Sequence, residues 1–330
     1  MAKKNVLLLC GGGGSEHEIS LVSAKYILEC LKKNSNFDVS YVEINKQLVW
    51  VDENQNVVEL KWDKKLYSKN NPEKKIDIVI PCIHGYPGET GDIQSFLDVI
   101  GIPYIGPNSE SSKICFNKLT TKIWLDKIQV PNTPYLFLIK PGMTDEIRNF
   151  FNQYKTVYIK ATNQGSSVGV YKVNDLTTLE KNINEAFTLS PYVIIEKALM
   201  GRELEISIFE YQNKIHVTNP GEIHCPTQFY SYEEKYAANS KTSTSILAMN
   251  LPESAISKIK EYSERAFKAL KLKDLSRMDF FYTNDGEVLL NEINTFPGLT
   301  PISMFPKMME NYGVKFVDYL NDRINESLKK

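Results

Sequence analysis

The first hundred residues alternate between apolar runs of strand length and stretches with helical spacing. Residues 5–10 form a short apolar run that leads into four glycines, and apolar residues then recur every three or four positions to about Lys33. Ser15 is the expected N-cap of this helix, and Glu18 would complete a capping box. Strand, glycine-rich turn and helix begin a βαβ unit, which predicts an open parallel sheet.

The chain continues with further apolar runs and a second glycine-rich loop. We expect strands at residues 39–44, 48–51, 76–83 and 102–105, and a helix at residues 93–100. The segment HGYPGETG directly follows the strand at 76–83. Because α/β sheets bind ligands at the carboxyl ends of parallel strands, His84 is a candidate site residue, which the glycine-rich loop and the nearby Glu89 support. A structural role for a lone histidine is the alternative.

Another glycine-rich segment lies between two strands in the middle of the chain. A helical stretch at 109–126 carries Lys118 and Lys122, and prolines then interrupt the chain, so we place a domain boundary near residues 115–125. Strands at 156–161 and 170–173 flank the loop TNQGSSVG. Backbone N–H groups of such a loop can fold over phosphates, and Lys160 would supply a fixed positive charge. An exposed hairpin turn is the alternative.

The remaining elements enclose one long polar stretch. We expect helices at residues 146–153, 175–187 and 252–270, strands at 192–197 and 202–209, and helix or loop at 300–328. In the strand at 202–209 the aliphatic residues share one face, and Glu203, Glu205 and Ser207 share the other. Residues 228–245 form an unusually long loop, and a loop this long in a compact domain is usually functional, with Lys235 and Tyr236 as its candidate residues. A disordered surface loop is the alternative.

Residues 276–301 contain a predicted hairpin that carries three oxygen donors. The sequence Asn-Asp-Gly at 284–286 separates two runs rich in aromatic and β-branched residues. If residues 285–286 form a two-residue turn, Asp279 falls opposite Glu292, and Asn294 lies on the same face. Carboxylates with an amide oxygen suit Mg²⁺, which completes its coordination with phosphate oxygens and water. A solvated polar face is the alternative.

Composition and charge narrow the classes of function. A chain of 330 residues, 42% apolar and 24% charged, is typical of a globular protein with two or three domains. The net charge of −1 provides no overall electrostatic basis for binding nucleic acid or a membrane. The amino terminus lacks the apolar region of a secretory signal, and no apolar run is long enough to span a bilayer. Five dispersed cysteines without a CxxC motif favour reduced thiols in a cytoplasmic protein and argue against a zinc site.

The charge of Glu16 conflicts with a phosphate site at the first glycine-rich turn. A carboxylate on the first turn of a helix would repel phosphate, and the chain contains no phosphate-binding G-x-x-x-x-G-K-[ST] motif. The same carboxylate would attract an ammonium group. A favourable interaction with the helix dipole alone is the alternative.

Six segments together resemble one family. They are GGGGSEHEIS, HGYPGETG, Lys160 with the GSSVG loop, VIIEKAL, FYSYEEKY and RMDFFYTNDGEVLLNEINTFPGLTPIS. Their order and spacing resemble those of the D-alanine–D-alanine ligases, which have the ATP-grasp fold, over essentially the whole chain. The resemblance implies an α/β and α+β architecture: an N-terminal open parallel-sheet domain that binds substrate (1–118), a central ATP-grasp subdomain with a phosphate-covering loop (119–205), and a C-terminal ATP-grasp subdomain with a lid loop and a metal site (206–330).

The resemblance also implies a reaction and a set of ligands. ATP phosphorylates the carboxylate of one D-alanine, and the amine of a second attacks the acyl phosphate to give the dipeptide precursor of peptidoglycan. The residues that match ATP contacts are Lys118, Lys160, Ser166, Ser167, Glu196, Lys197, Leu199 and Glu203. Asp279, Glu292 and Asn294 match the ligands of Mg²⁺ or Mn²⁺, with two ions per site. D-Alanine and ATP are the implied small-molecule partners, and a homodimer is implied as well.

Substrate and catalytic roles follow from the same resemblance. Glu16 matches the residue that binds the ammonium group of the first D-alanine, and His84 lies near that substrate. Arg277 and the Gly298 N–H match an oxyanion site. The residues that match contacts to the second D-alanine are Ser303 and Met304. Tyr236, with Lys235, matches a lid that closes over Glu16 and Ser166 and excludes water.

Three departures from the family pattern affect the pocket but remove no charged or metal-binding group from the roles assigned above. Ala161 stands where proline is common, Thr90 where aspartate is usual, and Leu299 where Phe or Met is common. Related ligases that make D-alanyl-D-lactate or D-alanyl-D-serine remain alternatives. In the lactate-forming enzymes the residue at the position of Tyr236 resembles a histidine, so Tyr236 favours the dipeptide. Two further hypotheses stay open: a silent ATP-grasp homologue that only binds ATP, and a carboxylate–amine ligase with a larger acceptor.

Overall fold

The structure, a computed structural model, describes residues 3–69, 72–225 and 242–329. Lys235 and Tyr236 lie outside these residues. In chain order the described strands are β1 (Lys4–Gly11), β2 (Phe37–Ile44), β3 (Trp50–Asp52), β4 (Val58–Leu60), β5 (Lys65–Ser68), β6 (Lys74–Lys75), β7 (Ile78–Pro81), β8 (Tyr135–Leu138), β9 (Val157–Ala161), β10 (Val170–Val173), β11 (Val193–Lys197), β12 (Gly201–Tyr211), β13 (Lys214–Val217), β14 (Gly221–His224), β15 (Ser243–Ser245), β16 (Leu275–Thr283) and β17 (Val288–Asn294). The described helices are α1 (His17–Lys32), α2 (Asp92–Ile100), α3 (Ser109–Phe116), α4 (Lys118–Lys127), α5 (Asp145–Tyr154), α6 (Leu176–Leu189), α7 (Glu253–Ala269), α8 (Met304–Asn311) and α9 (Phe316–Ser327).

The N-terminal part contains the predicted parallel sheet. β1 lies between β2 and β7 and runs parallel to both, while β3 pairs antiparallel with β2 at the edge. β1 is apolar on both faces, as expected of a strand covered on both sides. Helix α1 follows the glycine-rich turn and buries one side against β1 and β2. The predicted βαβ start is therefore confirmed.

Two N-terminal details differ from the predictions. Helix α1 begins at His17 with Glu16 in the N-cap position, and the Glu16 side chain makes no capping hydrogen bond to the helix, so the predicted capping box starting at Ser15 is wrong. The predicted strand at 102–105 is reduced to a single parallel bridge between Tyr104 and Val79, flanked by two backbone hydrogen bonds. Ile102, Tyr104 and Ile105 are buried, but too few backbone groups of the segment pair to make a strand.

The helical stretch predicted at 109–126 is divided at Asn117. The side-chain oxygen of Asn117 accepts hydrogen bonds from the N–H groups of Leu119 and Thr120, at 3.0 and 3.1 Å. This cap starts a new helix because it satisfies two N–H groups that would otherwise lack partners. Lys118 thereby becomes the first residue of α4.

Besides a small antiparallel sheet of β4, β5 and β6, the remaining described strands form two larger antiparallel sheets. One has the strand order β10-β9-β11-β8, with α5 and α6 packed in its core. In the other, β12 lies between β14 and β16, β17 pairs with β16, and α7 buries its apolar side against the sheet. The predicted metal ligands lie on β16 and β17, whereas Lys160, Glu196 and Lys197 of the predicted nucleotide contacts lie on β9 and β11, so the two groups belong to different sheets.

The predicted hairpin forms, but with a different turn. Three residues, 284–286, connect the strands, since the N–H of Thr283 bonds to the carbonyl of Glu287 at 3.0 Å. Gly286 has φ = 81°, which glycine adopts without strain. The predicted two-residue turn is therefore wrong. A bulge at residue 291 compensates, because Phe280 pairs with Leu290 whereas Asp279 pairs with Glu292, as predicted.

The helices at the C-terminus complete the N-terminal core. Phe316 in α9 stacks on Tyr26 in α1, with ring centroids 5.5 Å apart, and α8 contributes Phe305 to the same buried cluster. The predicted C-terminal helical region therefore packs against the core of the N-terminal part and completes it. Among residues 3–69, 72–225 and 242–329, no helix combines the length and hydrophobicity needed to cross a membrane.

Candidate active site

A cleft of 1220 Å³ lies where the three larger sheets meet. Its size suits a nucleotide together with small substrates. The predicted site residues that line it are Glu16, His84, Lys118, Lys160, Ser166, Ser167, Glu196, Lys197, Leu199, Glu203, Arg277, Asp279, Glu292, Asn294, Gly298, Ser303 and Met304. These are all the predicted site residues within the described part of the chain, so segments far apart in sequence converge as expected.

Glu16 and Ser166 join the first glycine-rich turn to the central Gly/Ser loop. The Ser166 hydroxyl donates to Glu16 Oε1 at 2.5 Å. Ser166 and Ser167 have φ values of 48° and 62°, an uncommon conformation for residues other than glycine. Backbone strain of this kind is typical of functional sites. The loop is therefore held at the Glu16 side of the cleft by a contact to the predicted ammonium-binding carboxylate.

His84 connects the N-terminal sheet to the loop that follows β17. Its Nδ1 lies 3.0 Å from the carbonyl oxygen of Phe296, and its Nε2 lies 2.9 Å from the Ser23 hydroxyl. Since a carbonyl only accepts, Nδ1 carries the proton and Nε2 accepts from Ser23. Ser23 in turn accepts from the Leu299 N–H at 3.3 Å. Burial lowers the pKa of His84, which fits this neutral, fully bonded ring.

Glu89 is a second acidic group beside Glu16. Its carboxylate accepts a hydrogen bond from the Gly85 N–H at 2.9 Å. Burial, followed by the charge of Glu16, raises the pKa of Glu89 to about 8. A group with this pKa is protonated at neutral pH, which limits repulsion between the two carboxyl groups before a cation binds.

The hairpin face concentrates negative charge around Arg277. Asp279 pairs across the sheet with Glu205 on one side and Glu292 on the other. Arg277 holds Asp279 with two hydrogen bonds, at 2.7 and 2.8 Å, and lies 3.4 Å from Glu205. Burial opposes the charge of Arg277, but these carboxylates outweigh it and raise its pKa. The cation that opposed carboxylates require is thus supplied by the protein itself.

The donor set on this face fits a divalent cation that also binds phosphate. Asp279 and Asn294 are in contact, since the Asn294 amide donates to Asp279 at 3.1 Å, and Glu292 lies directly across from Asp279. Within the described residues, no group of three or more His, Cys, Asp or Glu side chains forms a complete metal site. Two carboxylates and an amide oxygen leave coordination positions for phosphate oxygens and water, which is typical of Mg²⁺.

Two lysines approach the central loop from different elements. Lys118 donates to the carbonyl oxygen of Gln164 at 2.6 Å, so it supports the loop at its base. Lys160, at the end of β9, pairs with Glu196 on β11 at 2.5 Å. Glu196 also pairs with Lys122 at 3.1 Å. The predicted phosphate lysines are therefore both fixed by contacts within the protein.

The remaining predicted residues occupy β11, β12 and the loop after β17. Lys197 and Leu199 follow Glu196, and Glu203 lies on β12 beside β14. Ser303 accepts from the N–H of Thr300 at 3.1 Å, and a Cβ added at Gly298 would lie 3.0 Å from its hydroxyl oxygen. The loop thus folds tightly, with Ser303 and Met304 at the start of α8.

Comparisons with known proteins show the family to which the chain is similar. Residues 5–107 match the family described as "D-ala D-ala ligase N-terminus", and residues 124–325 match "D-ala D-ala ligase C-terminus". A D-alanine--D-alanine ligase from Shewanella denitrificans is 49% identical over 99% of both chains.

This chain belongs to the D-alanine–D-alanine ligase family. The crystal structure of D-alanyl-alanine synthetase A from Vibrio cholerae is similar to this ligase with a TM-score of 0.95 and 47% identity, covering 100% of each chain. VanG D-Ala:D-Ser ligase from Enterococcus faecalis has a TM-score of 0.86 at 26% identity, covering 98% of this chain and 99% of its own. The predicted family and ATP-grasp fold class are therefore confirmed.

The structure places groups in this ligase cleft or behind its lining that the sequence predictions did not assign. Glu205 was predicted to lie on the polar face of β12, but its contact with Arg277 depends on the pairing of β12 with β16. Ser23 and Lys122 were not assigned site roles. Ser23 lies within α1, and nothing in its distance along the sequence from the glycine-rich turn indicates a role in the site. For Lys122, the i, i+4 spacing from Lys118 was the available signal.

Proposed function

We infer that the chain joins two D-alanine molecules in an ATP-dependent reaction that forms the dipeptide precursor of peptidoglycan. The observation that carries this inference is the convergence of Glu16, Ser166, Arg277 and Asp279 in one cleft of a chain from this family. The enzyme is an ATP-dependent carboxylate–amine ligase that uses a divalent metal. When bound, the metal neutralises charge that builds up on the transferred phosphoryl group.

We propose that the cleft divides into a nucleotide end and an amino-acid end. Lys118, Lys160 and the Ser166–Ser167 backbone bind phosphates, while Glu196, Lys197, Leu199 and Glu203 hold adenine and ribose. Asp279, Glu292 and Asn294 hold two ions, Mg²⁺ or Mn²⁺. Support for this division comes from the oxygen donors on one face of β16 and β17 and the lysines on the other side of the cleft.

At the amino-acid end, Glu16 binds the ammonium group of the first D-alanine, and His84 positions the loop next to it. Arg277 and the Gly298 N–H stabilise the oxyanion that forms when the second amine attacks. Ser303 and Met304 hold the carboxylate of the second D-alanine. Tyr236, with Lys235, closes over Glu16 and Ser166, so that water does not hydrolyse the acyl phosphate.

The larger organisation is also part of the proposal. We propose the division into domains at 1–118, 119–205 and 206–330. The sheet of β8 to β11 lies entirely within the central part, while β12 (Gly201–Tyr211), which belongs to the last sheet, begins just before the last boundary. A homodimer is proposed because the family resemblance implies one, and light scattering of the purified protein tests it. A cytoplasmic location is supported by the five cysteines, which are thiols rather than disulfides in the described residues.

The test is turnover with a panel of D-amino acids, L-alanine and D-hydroxy acids. We expect phosphate release from ATP with D-alanine and no release above background with L-alanine, with D-alanyl-D-alanine as the product identified by mass spectrometry. Equal phosphate release with L-alanine would overturn the stereochemical assignment. A predominant product containing D-lactate or D-serine would support the related ligases instead.

A further inference from the structure

Lys122 is a buried lysine behind the nucleotide end of the cleft. Its side chain is 1% exposed, and its Nζ lies 3.1 Å from Glu196 Oε1. It also donates to the carbonyl oxygen of Thr133 at 3.2 Å and to the side-chain oxygen of Asn132 at 3.3 Å. All three donors of the ammonium group therefore have oxygen partners, and the Tyr135 ring lies 5.2 Å away.

Glu196 divides its two carboxylate oxygens between two lysines. Oε1 faces Lys122, and Oε2 faces Lys160 at 2.5 Å. Lys160 and Glu196 line the cleft, whereas Lys122 lies behind them. The three charges form a row in which the buried lysine fixes the carboxylate and the carboxylate fixes the lysine in the cleft.

The electrostatics agree with this geometry. Burial lowers the pKa of Lys122, and Glu196 opposes this effect. Burial alone would raise the pKa of Glu196, but the two ammonium groups outweigh it and lower the pKa. Without Lys122, Glu196 would retain one cation for a buried negative charge, and its free oxygen would have to find another partner.

A second partner of Lys122, Asn132, connects it to the hairpin of β16 and β17, which carries the proposed metal ligands and is called the metal hairpin below. Asn132 forms a parallel bridge with Leu290 in β17, and the Leu290 N–H donates to the Pro131 carbonyl at 2.8 Å. Glu292 is two residues further along the same strand. Lys122 therefore lies between the segment that pairs with the metal hairpin and the strand that carries Glu196.

We propose that Lys122 is a positioning residue for ATP binding, which acts through Glu196 to fix the ammonium group of Lys160 where the phosphates bind. The inference rests on the nucleotide roles proposed above for Lys160 and Glu196. Lys122 itself contacts no substrate. It sets the position of Lys160 relative to the hairpin that holds the metal, so that both sides of the phosphate site are aligned before ATP enters.

The test compares kinetic constants of Lys122→Met with those of the unaltered enzyme. We expect KM for ATP to rise about tenfold, with kcat changed less than about threefold and KM for D-alanine unchanged, because ground-state binding of ATP is what is weakened. Lys122→Arg retains the charge and should recover most of the loss. Lys127→Met, which removes an exposed lysine from the same helix, is the matched control and should leave all three constants unchanged.

A lysine that only stabilised the fold would give a different result. Its loss would lower the melting temperature and the fraction of active enzyme, which reduces apparent kcat, but KM for ATP would stay the same. That outcome would overturn the proposal. If Lys122→Met does not fold, Lys122→Gln replaces it, since glutamine can still donate to Thr133 but carries no charge.

A double-mutant cycle tests whether the effect passes through Glu196. In a Glu196→Gln background, Lys122→Met should raise KM for ATP by less than about twofold, because the pathway is already broken. Full additivity would contradict the proposal. Lys160→Met separates the proposed nucleotide site from the proposed role of Lys122. An unchanged KM for ATP in Lys160→Met would refute the nucleotide site. A raised KM for ATP in Lys160→Met, together with no effect of Lys122→Met, would refute the role of Lys122 alone.

Discussion

At the scale of single residues, the site depends on charges that compensate one another at short range. Arg277 stands among Asp279, Glu205 and Glu292, and Glu196 stands between two lysines. Removing one member leaves a partner charged and poorly solvated, which costs more than the interaction itself contributes. Conservative substitutions that keep shape are therefore the informative ones here.

Glu292→Gln tests the metal assignment. The variant keeps the size of the side chain but loses a carboxylate, so we expect a normal fold and a kcat reduced at least about 100-fold, because several kcal/mol of charge stabilisation is lost. Phosphate release at saturating Mg²⁺ and thermal unfolding are the two measurements. Glu287→Gln, an exposed residue of the same hairpin, is the control. Full activity of Glu292→Gln would refute the assignment.

The raised pKa of Glu89 predicts a pH dependence of stability. Between its unfolded value of 4.5 and the folded value of about 8, the folded protein retains a proton that the unfolded chain has lost. The contribution of Glu89 to stability therefore falls as pH rises through this window and levels off above it. We expect Glu89→Gln, which resembles the neutral form, to lose stability less steeply between pH 5 and pH 8.

Unfolding by urea at several pH values, without D-alanine, measures this difference. Other titrating groups contribute to both proteins, so the slope of the difference between them is the relevant quantity. If the two proteins show parallel pH profiles, Glu89 does not carry the raised pKa.

The sequence predicted which residues converge, but it did not predict how they are connected. Acidic, basic and glycine-rich segments can be recognised directly in the sequence, and the resemblance to the ligase family assigned roles to them. The contact of Lys122 with Glu196 depends on how α4 packs against β11, and that of Ser23 with Leu299 depends on α1 packing against a loop 276 residues away. Such contacts follow from tertiary packing, which local patterns do not contain.

At the scale of elements, the hairpin of β16 and β17 has the predicted pairing of Asp279 with Glu292, although the predicted turn is wrong. The aromatic and β-branched runs were sufficient to predict both strands, because such residues favour a half-buried pleated surface. The turn has one residue more than predicted, which shifts the pairing next to the turn by one position. The bulge at residue 291 adds one residue in β17 and restores the register, so Asp279 still pairs with Glu292. A bulge depends on the twist of the whole sheet, so it could not be predicted from the strand itself.

Gly286→Ala isolates the contribution of the turn. The residue has φ = 81°, and an added Cβ would lie 3.8 Å from the Tyr282 hydroxyl, which is ordinary contact. The cost is therefore backbone strain alone, about 1–2 kcal/mol. We expect the melting temperature to fall by about 2–4 °C with kcat unchanged.

Gly286→Asn is the matched variant, because asparagine tolerates this conformation better than alanine. It should lose about half as much stability. If alanine and asparagine were equally harmless, the three-residue turn with a left-handed glycine would be incorrect.

At the scale of the whole molecule, the first sheet and the C-terminal helices share one core. Phe305 and Phe316 are buried in the same cluster as Val6 and Ile27, so the N-terminal sheet is completed by the last part of the chain. This continuity fixes the side of the cleft that carries Glu16 and His84 relative to the hairpin. The proposed amino-acid end of the site therefore depends on contacts between distant segments.

Asp274 is the polar centre of this junction. It is fully buried, accepts the Gly106 N–H at 2.8 Å, and lies 3.4 Å from the Arg323 guanidinium of α9. Burial raises its pKa, although Lys273, the Gly106 hydrogen bond and Arg323 oppose this. Asp274→Ala would leave a buried arginine and a buried N–H with fewer partners, so we expect a loss of about 3–5 kcal/mol in the free energy of unfolding.

The position of Asp274 also predicts which substrate is affected. Gly106 belongs to the part of the chain that contains Glu16 and His84, whereas the proposed ATP contacts lie after residue 117. Asp274→Ala at a permissive temperature should therefore raise KM for D-alanine more than KM for ATP. Asp274→Asn keeps the shape and an acceptor for Gly106, so it should change both constants less. Thermal unfolding and steady-state kinetics of the two variants decide the matter, and equal effects on both KM values would show that the junction does not set the amino-acid end of the cleft.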